Sequence, residues 1–379
     1  MRLLIGQPSL QKIIGIAQGV VPRRTTKPIL TNLLLEADLE KGLTVSATDD
    51  ELSFVGSTEA QVEAAGRIAV TAKDFYDVVR NLPEHPVELI EHADENMLEI
   101  KSGNIDFHLQ TMPAEEFPAL PQMEPESSHS YTARELAWLI DRTIFAVSQE
   151  ETRYYLGGVY MECPEGDVLR AVATDGHRLA LAEGPAPIGF TMPEGQILPR
   201  KLLGELRKVL ETKHGDVTIG FQDRRVMFQY GPQTLMSLLV EGSFPDYRQV
   251  IPKAPNITCR VGRVELLEAL RRISLLSPDK TGGVRFTLED RKLTLSSQHT
   301  GRGKGKQEVE VREGGGNLEV GFNARYFIDA LQVVDTADVL LELTNHLSPC
   351  LLRPYQDEES EENSAPPSAQ INVVMPMRL

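Results

Sequence analysis

The order of residues that runs from Thr48-Asp49 to Phe117-Pro118 occurs again from Thr174-Asp175 to Phe244-Pro245. The two Thr-Asp pairs lie 126 residues apart and the two Phe-Pro pairs 127. Within that frame Val70–Leu82 aligns with Leu198–Leu210, and Val320–Leu331 continues the series. Each of the three reads as a strand end entering a short helix with apolar residues at helical spacing. Three copies of about 125 residues fill the chain, and a period of that length is too long for a solenoid repeat. Each copy is therefore expected to be a domain with its own core, over residues 1–125, 126–253 and 254–379. The Pro-rich stretches Pro113–Pro125 and Pro245–Pro255 are the expected linkers.

Composition is compatible with this plan. At 41% hydrophobic residues the chain has enough apolar material for several cores, and no run is long enough for a membrane span. No basic-then-apolar leader precedes Leu3. Cys163, Cys259 and Cys350 are too scattered for a metal pattern or a disulfide framework, so a cytoplasmic protein is expected. Helices are expected at about Ser9–Ala17, Val70–Leu82, Ala133–Phe145, Leu202–Leu210, Val264–Ile273 and Ala324–Leu331. Strands are expected between them, including Leu30–Ala37, a continuous run over Phe54–Gly66, and a last strand Val373–Leu379. Two helices and several strands per copy describe an α+β domain with a largely antiparallel sheet. Gln356–Gln370, with five carboxylates and nothing apolar larger than Ala, is expected to be disordered.

The copies differ informatively at one point. Leu169–Thr174 reads as a strand, Asp175-Gly176 as a tight turn, and His177-Arg178-Leu179 as the start of the returning strand. Leu43–Val55 has the same strand and turn without Gly-His-Arg-Leu. The hairpin is thus scaffold, and His-Arg-Leu is an addition made once.

No catalytic set emerges. Asp175 and His177 offer half of a hydrolytic pair, but no nucleophile stands between them. Gly301–Gln307 resembles a phosphate loop one residue short, with Gln307 where a metal-binding hydroxyl is needed. No cofactor is expected. The cations are better organised: every expected helix carries one or more, as Lys12; Lys73 and Arg80; Arg134 and Arg142; Lys201, Arg207 and Lys208; Arg263, Arg271 and Arg272; and Arg325. In a chain of net charge −16 this suggests one basic surface on an acidic body, suited to DNA phosphates held without sequence readout.

Several stretches together resemble the beta subunits of bacterial DNA polymerase III, the replicative sliding clamps. They are Lys27–Leu30 with Asn32–Leu35, Arg153–Leu156, Ala173–Ala180, Phe244–Arg248 with Val250–Lys253, Gly321–Asn323 and Val373–Leu379. The resemblance implies three domains of the clamp fold per chain and two chains joined head to tail. Helices would line the ring, with antiparallel sheets outside. It further implies a processivity factor that encircles duplex DNA without an active site of its own. The ring would tether the polymerase III alpha subunit, the clamp loader delta subunit, and other polymerases and repair proteins.

Those partners would present a Gln-x-x-Leu-Phe type motif to a cleft between the second and third domains. The matching positions are Leu156, Thr174, Gly176, His177, Arg178, Leu179, Pro245, Val250, Asn323, Tyr326, Leu347, Val373, Met375, Pro376, Met377 and Arg378. Gln249 and Pro349 depart from the family pattern at that cleft, and the acidic Gln356–Gln370 insert would lie near its mouth. For DNA the resemblance points to Arg24, Gln149, Tyr154, Tyr155, Arg200 and Lys201, beside the helix cations Lys73 and Arg80. For ring closure it points to Phe107 and Leu109 against Leu275 and Leu276. The flanking charges there look exchanged, with Asp74 and Asp106 facing Arg302, Lys304 and Lys306. The rival readings are a hydrolase using Asp175 and His177, and a scaffold that binds protein motifs without DNA.

Overall fold

In the computed structural model the described residues are all but 125–127, 165–166, 188, 191, 212–213, 278–281, 357–368 and 379. Most of the acidic Gln356–Gln370 stretch thus lies outside the described residues, as does the expectation made for it. Six α-helices are found where they were expected: α1 Gln7–Val20, α2 Ala72–Arg80, α3 Ala133–Asp141, α4 Arg200–Val209, α5 Arg263–Ser274 and α6 Ala324–Gln332. α1 shows why. Pro8 stands in its first turn, where no backbone donor is lost, and Leu10, Ile13, Ile14, Ala17 and Val20 form one buried stripe.

The strands depart from expectation in four places. Pro28–Thr31 is a 3-10 turn, so the strand expected from Leu30 begins at Asn32. The run Phe54–Gly66 breaks into strands Leu52–Thr58, Gln61–Ala64 and Gly66–Thr71. The last strand ends at Val374; beyond it only Met377 makes a bridge, to Gly321. Most of all, Gly303–Asn323 is one strand of 21 residues, where the Gly-Arg-Gly-Lys run had looked like a loop. Its glycines let it bend: Gly314 (φ +76°) and Gly315 (φ +136°) sit where an added Cβ would come within about 2 Å of the Thr258 and Asp290 carbonyls.

The described chain divides into two compact units, and the division does not follow the three copies. Unit 1 is Met1–Ala137 with Lys201–Leu239; unit 2 is Trp138–Arg200 with Val240–Leu379. The reason is main-chain pairing across copy boundaries. In unit 1, Gln233–Leu238 of the second copy pairs antiparallel with Leu52–Thr58 of the first (Leu235 opposite Phe54), making a 13-stranded sheet. In unit 2, Arg178–Pro185 pairs with the C-terminal strand Gln370–Val374, which pairs on its other side with Cys350–Tyr355. That makes an 11-stranded sheet stitched by the chain's last strand.

Each unit carries its own apolar core. In unit 2 Phe286, Phe322 and Phe327 meet edge-on or tilted at centroid separations of 5.0–5.2 Å, with Cys259 and Cys350 buried among the same strands. Cys259 and Cys350 are free thiols. Burial pushes the Cys259 thiol up to about 11 and raises Cys350 further, so neither is set up as a nucleophile. In unit 1 Gly19 of α1 faces α4, where a Cβ would fall on the Glu205 carboxylate. Among the described residues no helix is long and apolar enough to cross a membrane.

Candidate functional site

The Thr-Asp turn is built twice with the same bonds. Thr174 Oγ1 donates to the Arg178 carbonyl at 2.6 Å, and Thr48 Oγ1 donates to the Leu52 carbonyl at 3.1 Å. Asp175 Oδ1 accepts from the amides of His177 and Arg178, as Asp49 Oδ1 accepts from those of Glu51 and Leu52. The third residue of each has positive φ: Gly176 at +87° and Asp50 at +77°. The expected tight turn is in fact wider than two residues, since Thr174 pairs with Leu179 and leaves four residues between them. Side-chain oxygens of Thr and Asp replace the backbone bonds of a two-residue turn.

The added residues act on this frame in two ways. Arg178, whose side chain is 11% exposed, uses its whole guanidinium. It donates to Asp175 Oδ2 at 3.0 Å, to Asp329 Oδ2 at 2.6 Å and to the Phe145 carbonyl at 2.6 Å, and it lies over the Tyr326 ring at 4.8 Å. It ties the hairpin to α6 and to the turn after α3. His177 points outward and stacks on Tyr326 with centroids 6.5 Å apart. The Asp175 carboxylate is engaged by amides and Arg178, not by the His177 ring, so no base–nucleophile relay is built here.

The chain's end is brought alongside. Leu179 sits opposite Val373 and Arg178 opposite Val374, the Met375 amide donates to the His177 carbonyl at 2.9 Å, and the Met377 amide donates to that of Gly321 at 2.8 Å. Leu179 and Val373 belong to a small core with Val172, Leu181, Tyr247, Leu351 and Ile371, onto which Phe244, Val250 and Ile251 pack. Thr174, opposite Leu179, is buried, and so is Leu156. Val250, Tyr326, Met375, Pro376 and Met377 are half-buried, while Gly176, His177, Pro245, Leu347 and Arg378 are exposed. Of the sixteen positions named from the sequence, Leu179, Val373 and Val250 are thus brought together in this small core, and Arg178, His177, Tyr326 and Met375 are tied to its hairpin. Asn323 is occupied otherwise: its side chain caps α6, accepting from the Arg325 amide at 3.0 Å.

Residues that sequence reasoning missed hold this socket in place. Tyr247 donates to Glu162, which also accepts from Arg170 at 2.8 Å and from Arg248 at 2.9 Å. Arg170 Nη1 in turn donates to the Tyr247 hydroxyl at 2.8 Å. This network anchors the segment that carries Pro245 and Val250. Burial alone would raise the Glu162 carboxyl, but the bonds from Tyr247, Arg170 and Arg248 outweigh it and hold the carboxyl below its ordinary range. Burial pushes Tyr247 up to about 12.

The expected DNA-facing residues fall in both units. In unit 1, α1, α2 and α4 line an open groove of about 1610 Å³ whose charged side chains are Lys12, Arg23, Lys73, Lys201, Arg207 and Lys208 against Glu205 and Glu211. Arg24 follows Arg23 on the exposed loop. Lys201 is not a loose cation, for its ammonium lies 2.5 Å from Asp49 Oδ2 and from the Val20 carbonyl. Arg80 pairs with Asp77 at 3.3 Å. In unit 2, Gln149 and Arg200 are exposed, and Tyr154 is 60% exposed with its ring edge-to-face to half-buried Tyr155. Arg142, counted from the sequence among the surface cations, is a correction: it lies past the end of α3, is buried on the Trp138 ring and pairs with Asp335.

The residues expected at ring closure fall on two strand edges and on helix α2 and the end of α5. In unit 1, Ile105–Gln110 pairs with Met97–Ser102, and of the same strand only the continuation Thr111–Pro113 pairs on the other side, with Gly66–Thr71. That segment carries Asp106, exposed Phe107 and half-buried Leu109, and Asp74 is exposed in the first turn of α2. In unit 2, Gly303–Glu310 pairs with Lys292–His299, and Ile257–Gly262 joins only beyond it, from Val311. Arg302, Lys304 and Lys306 stand there as exposed residues, with Leu275 72% exposed and Leu276 half-buried at the end of α5.

Three copies of one α+β plan, a small apolar core where the hairpin meets the C-terminal strand, and a basic groove on an acidic chain suit a class of protein that holds other macromolecules. Models of the DNA polymerase III beta subunit match all along the chain, with the N-terminal domain at 1–121, the central domain at 131–246 and the C-terminal domain at 248–368. The chain belongs to the DNA polymerase III beta subunit family. Proteins of this family are ring-shaped processivity factors of DNA replication, accessory to the polymerase and not enzymes themselves. The beta sliding clamp of Caulobacter vibrioides is 37% identical over 93% of this chain and 95% of its own length, and that of Pseudomonas aeruginosa 35% over the whole of both. The crystal structure of the Caulobacter crescentus clamp matches with a TM-score of 0.90 at 36% identity, covering 100% of this chain and 99% of that one.

Proposed function

We propose that two copies of this chain close head to tail into a ring around duplex DNA, and that the unit 2 socket tethers the replicative polymerase and other partners to it. The family supports partners of several kinds on one site: the polymerase III alpha subunit, the clamp loader delta subunit, and other polymerases and repair proteins. The functional division into domains 1–125, 126–253 and 254–379 is supported by the three matched stretches, and a cytoplasmic location goes with a replicative role.

The observation that carries the reading is the joining of the Thr-Asp-Gly-His-Arg-Leu hairpin to the C-terminal strand, with Leu179 opposite Val373 and the Met375 amide on the His177 carbonyl. On our reading Met375, Pro376 and Met377, which follow that strand, form one apolar surface with Val250 and Tyr326, and flexible Met side chains suit a socket with several partners. The Caulobacter crescentus structure carries polyethylene glycol at a region described for that protein as β-motif tethering. A Leu and a Phe of a linear motif would each gain about 1.5–3 kcal/mol on burial, less about 0.5–1.5 kcal/mol per immobilised side chain.

The test is a fluorescence-anisotropy titration of a Gln-x-x-Leu-Phe peptide against the full chain and a chain ending at Val374. The truncated chain keeps its last strand and is expected to remain dimeric while losing peptide affinity. An unchanged affinity would exclude the socket.

The edges support ring closure. Ile105–Gln110 and Gly303–Glu310 each have one side without a strand partner among the described residues, and carry opposite charges beside apolar Phe107, Leu109, Leu275 and Leu276. Lys12, Lys73, Arg24, Arg80 and Lys201 in one unit, and Gln149, Tyr154, Tyr155 and Arg200 in the other, are our candidates for phosphate contact. Contacts to phosphate alone leave the ring free to slide.

A further inference from the structure

On the sheet of unit 1, three side chains converge that neither the socket nor the basic groove employs, one of them on the edge strand that carries Asp106 and Phe107. Glu99 lies in the middle of strand Met97–Ser102. His108 is directly opposite it on the next strand, and His92 ends the strand on the other side, Pro86–His92. Their ligand atoms all lie within 4.8 Å of one another. His92 Nε2 is 2.9 Å from Glu99 Oε2, and His108 Nε2 is 3.9 Å from Glu99 Oε1. The two imidazoles stack with centroids 6.1 Å apart and interplanar angle 28°.

We propose that His92, Glu99 and His108 form a binding site for a divalent transition-metal cation of the zinc class, held across three adjacent strands.

The donor set fits. Two imidazole nitrogens and one carboxylate oxygen are the ligands that zinc, cobalt and nickel share, and with no thiolate the site does not select copper(I). Metal–ligand bonds of about 2.0–2.1 Å put ligand atoms about 3.3 Å apart in a tetrahedron. The present separations straddle that value, so side-chain rotations of a few tenths of an ångström to about one ångström suffice.

The two histidines, 40% and 43% exposed, are free to make those rotations, while the Glu99 side chain is 8% exposed and fixed on its strand. A fixed carboxylate with two adjustable imidazoles leaves the fourth position open to solvent. The second shell fits as well: Asp106 Oδ1 is 3.6 Å from His108 Nδ1, on the side of the ring away from Nε2. A proton kept on Nδ1 by that carboxylate leaves the Nε2 lone pair for the cation. Lys101 competes for Glu99, but it bonds to Oε1 and leaves Oε2, the oxygen next to His92, to the metal; its side chain is 42% exposed and has solvent as an alternative.

The experiment uses the full-length chain stripped with chelator. Co²⁺ is titrated in while visible d–d absorption is followed, and Zn²⁺ is then added. Wild type is expected to develop a four- or five-coordinate Co²⁺ band saturating at one equivalent per chain and erased by Zn²⁺. The double variant His92→Ala with His108→Ala is expected to lose the band, and Glu99→Gln to weaken binding more than about tenfold. Zn²⁺ should raise the thermal midpoint of wild type and leave that of the double variant where it was. Should the double variant fold poorly by circular dichroism, Glu99→Gln carries the comparison. A wild type without the band at stoichiometric metal, or variants that keep it at full intensity, would overturn the site.

Discussion

Arg178 shows how one side chain can organise a binding surface without lining it openly. Its three hydrogen-bond directions and its stacking on Tyr326 are all used, so it acts as a bracket between hairpin and helix. Replacing it with Ala leaves Asp175 without a cation and Asp329 with only Arg325 at 4.0 Å, and the expected cost is about 3–5 kcal/mol in urea unfolding. Lysine should recover little, because one ammonium cannot serve three fixed directions or stack as a plane; recovery of most of the loss would contradict this account. Glu162 gives a prediction in pH. Its carboxyl is held below the ordinary value near 4.5, so its contribution is complete above that value and is lost as pH falls through the lowered one. Wild type should therefore lose stability over that acid range more steeply than Glu162→Gln. Parallel curves would show that the Tyr247–Arg170–Arg248 bonds do not favour the ionised form.

At the scale of elements, the exposed strand edges are the features that need an explanation, since open edges invite indiscriminate pairing. We propose that charges by the two edges supply selectivity, Asp74 and Asp106 at one and Arg302, Lys304 and Lys306 at the other. Such pairs choose partner and register more than they add affinity. Reversing Arg302, Lys304 and Lys306 to Glu is expected to weaken the dimer in sedimentation at low salt. Adding Asp74→Lys and Asp106→Lys should restore it. A triple variant as dimeric as wild type would remove these charges from ring closure.

For the whole molecule, the acidic total and the basic groove are parts of one design. A chain of net charge −16 repels DNA at long range, while the cations around α1, α2 and α4 offer a local track for phosphates. Loaded onto a nicked circle, the protein should stay bound through gel filtration and be released when the circle is cut. Equal release from circle and linear DNA would mean that binding is not topological.

The repeat, the six helices and the Thr-Asp turns were legible from residue order because each leaves a local mark. A helix repeats its apolar positions every three to four residues, and a turn needs particular side chains within a few positions. The socket residues were proposed through family resemblance, and the joining of the hairpin to the C-terminal strand depends on strands far apart in sequence. What only the tertiary structure decided follows from pairing at a distance. Alternation along a strand says which face is buried but not which strand lies beside it. Nothing local in Gln233–Leu238 or Gln370–Val374 announced that they would carry sheets across copy boundaries and divide the second copy between two units. For the same reason Arg142 looked like a surface cation until Asp335 came to meet it, nothing near Arg178 in sequence announced its bond to Asp329, and His92, Glu99 and His108, on three strands, became neighbours only when those strands paired.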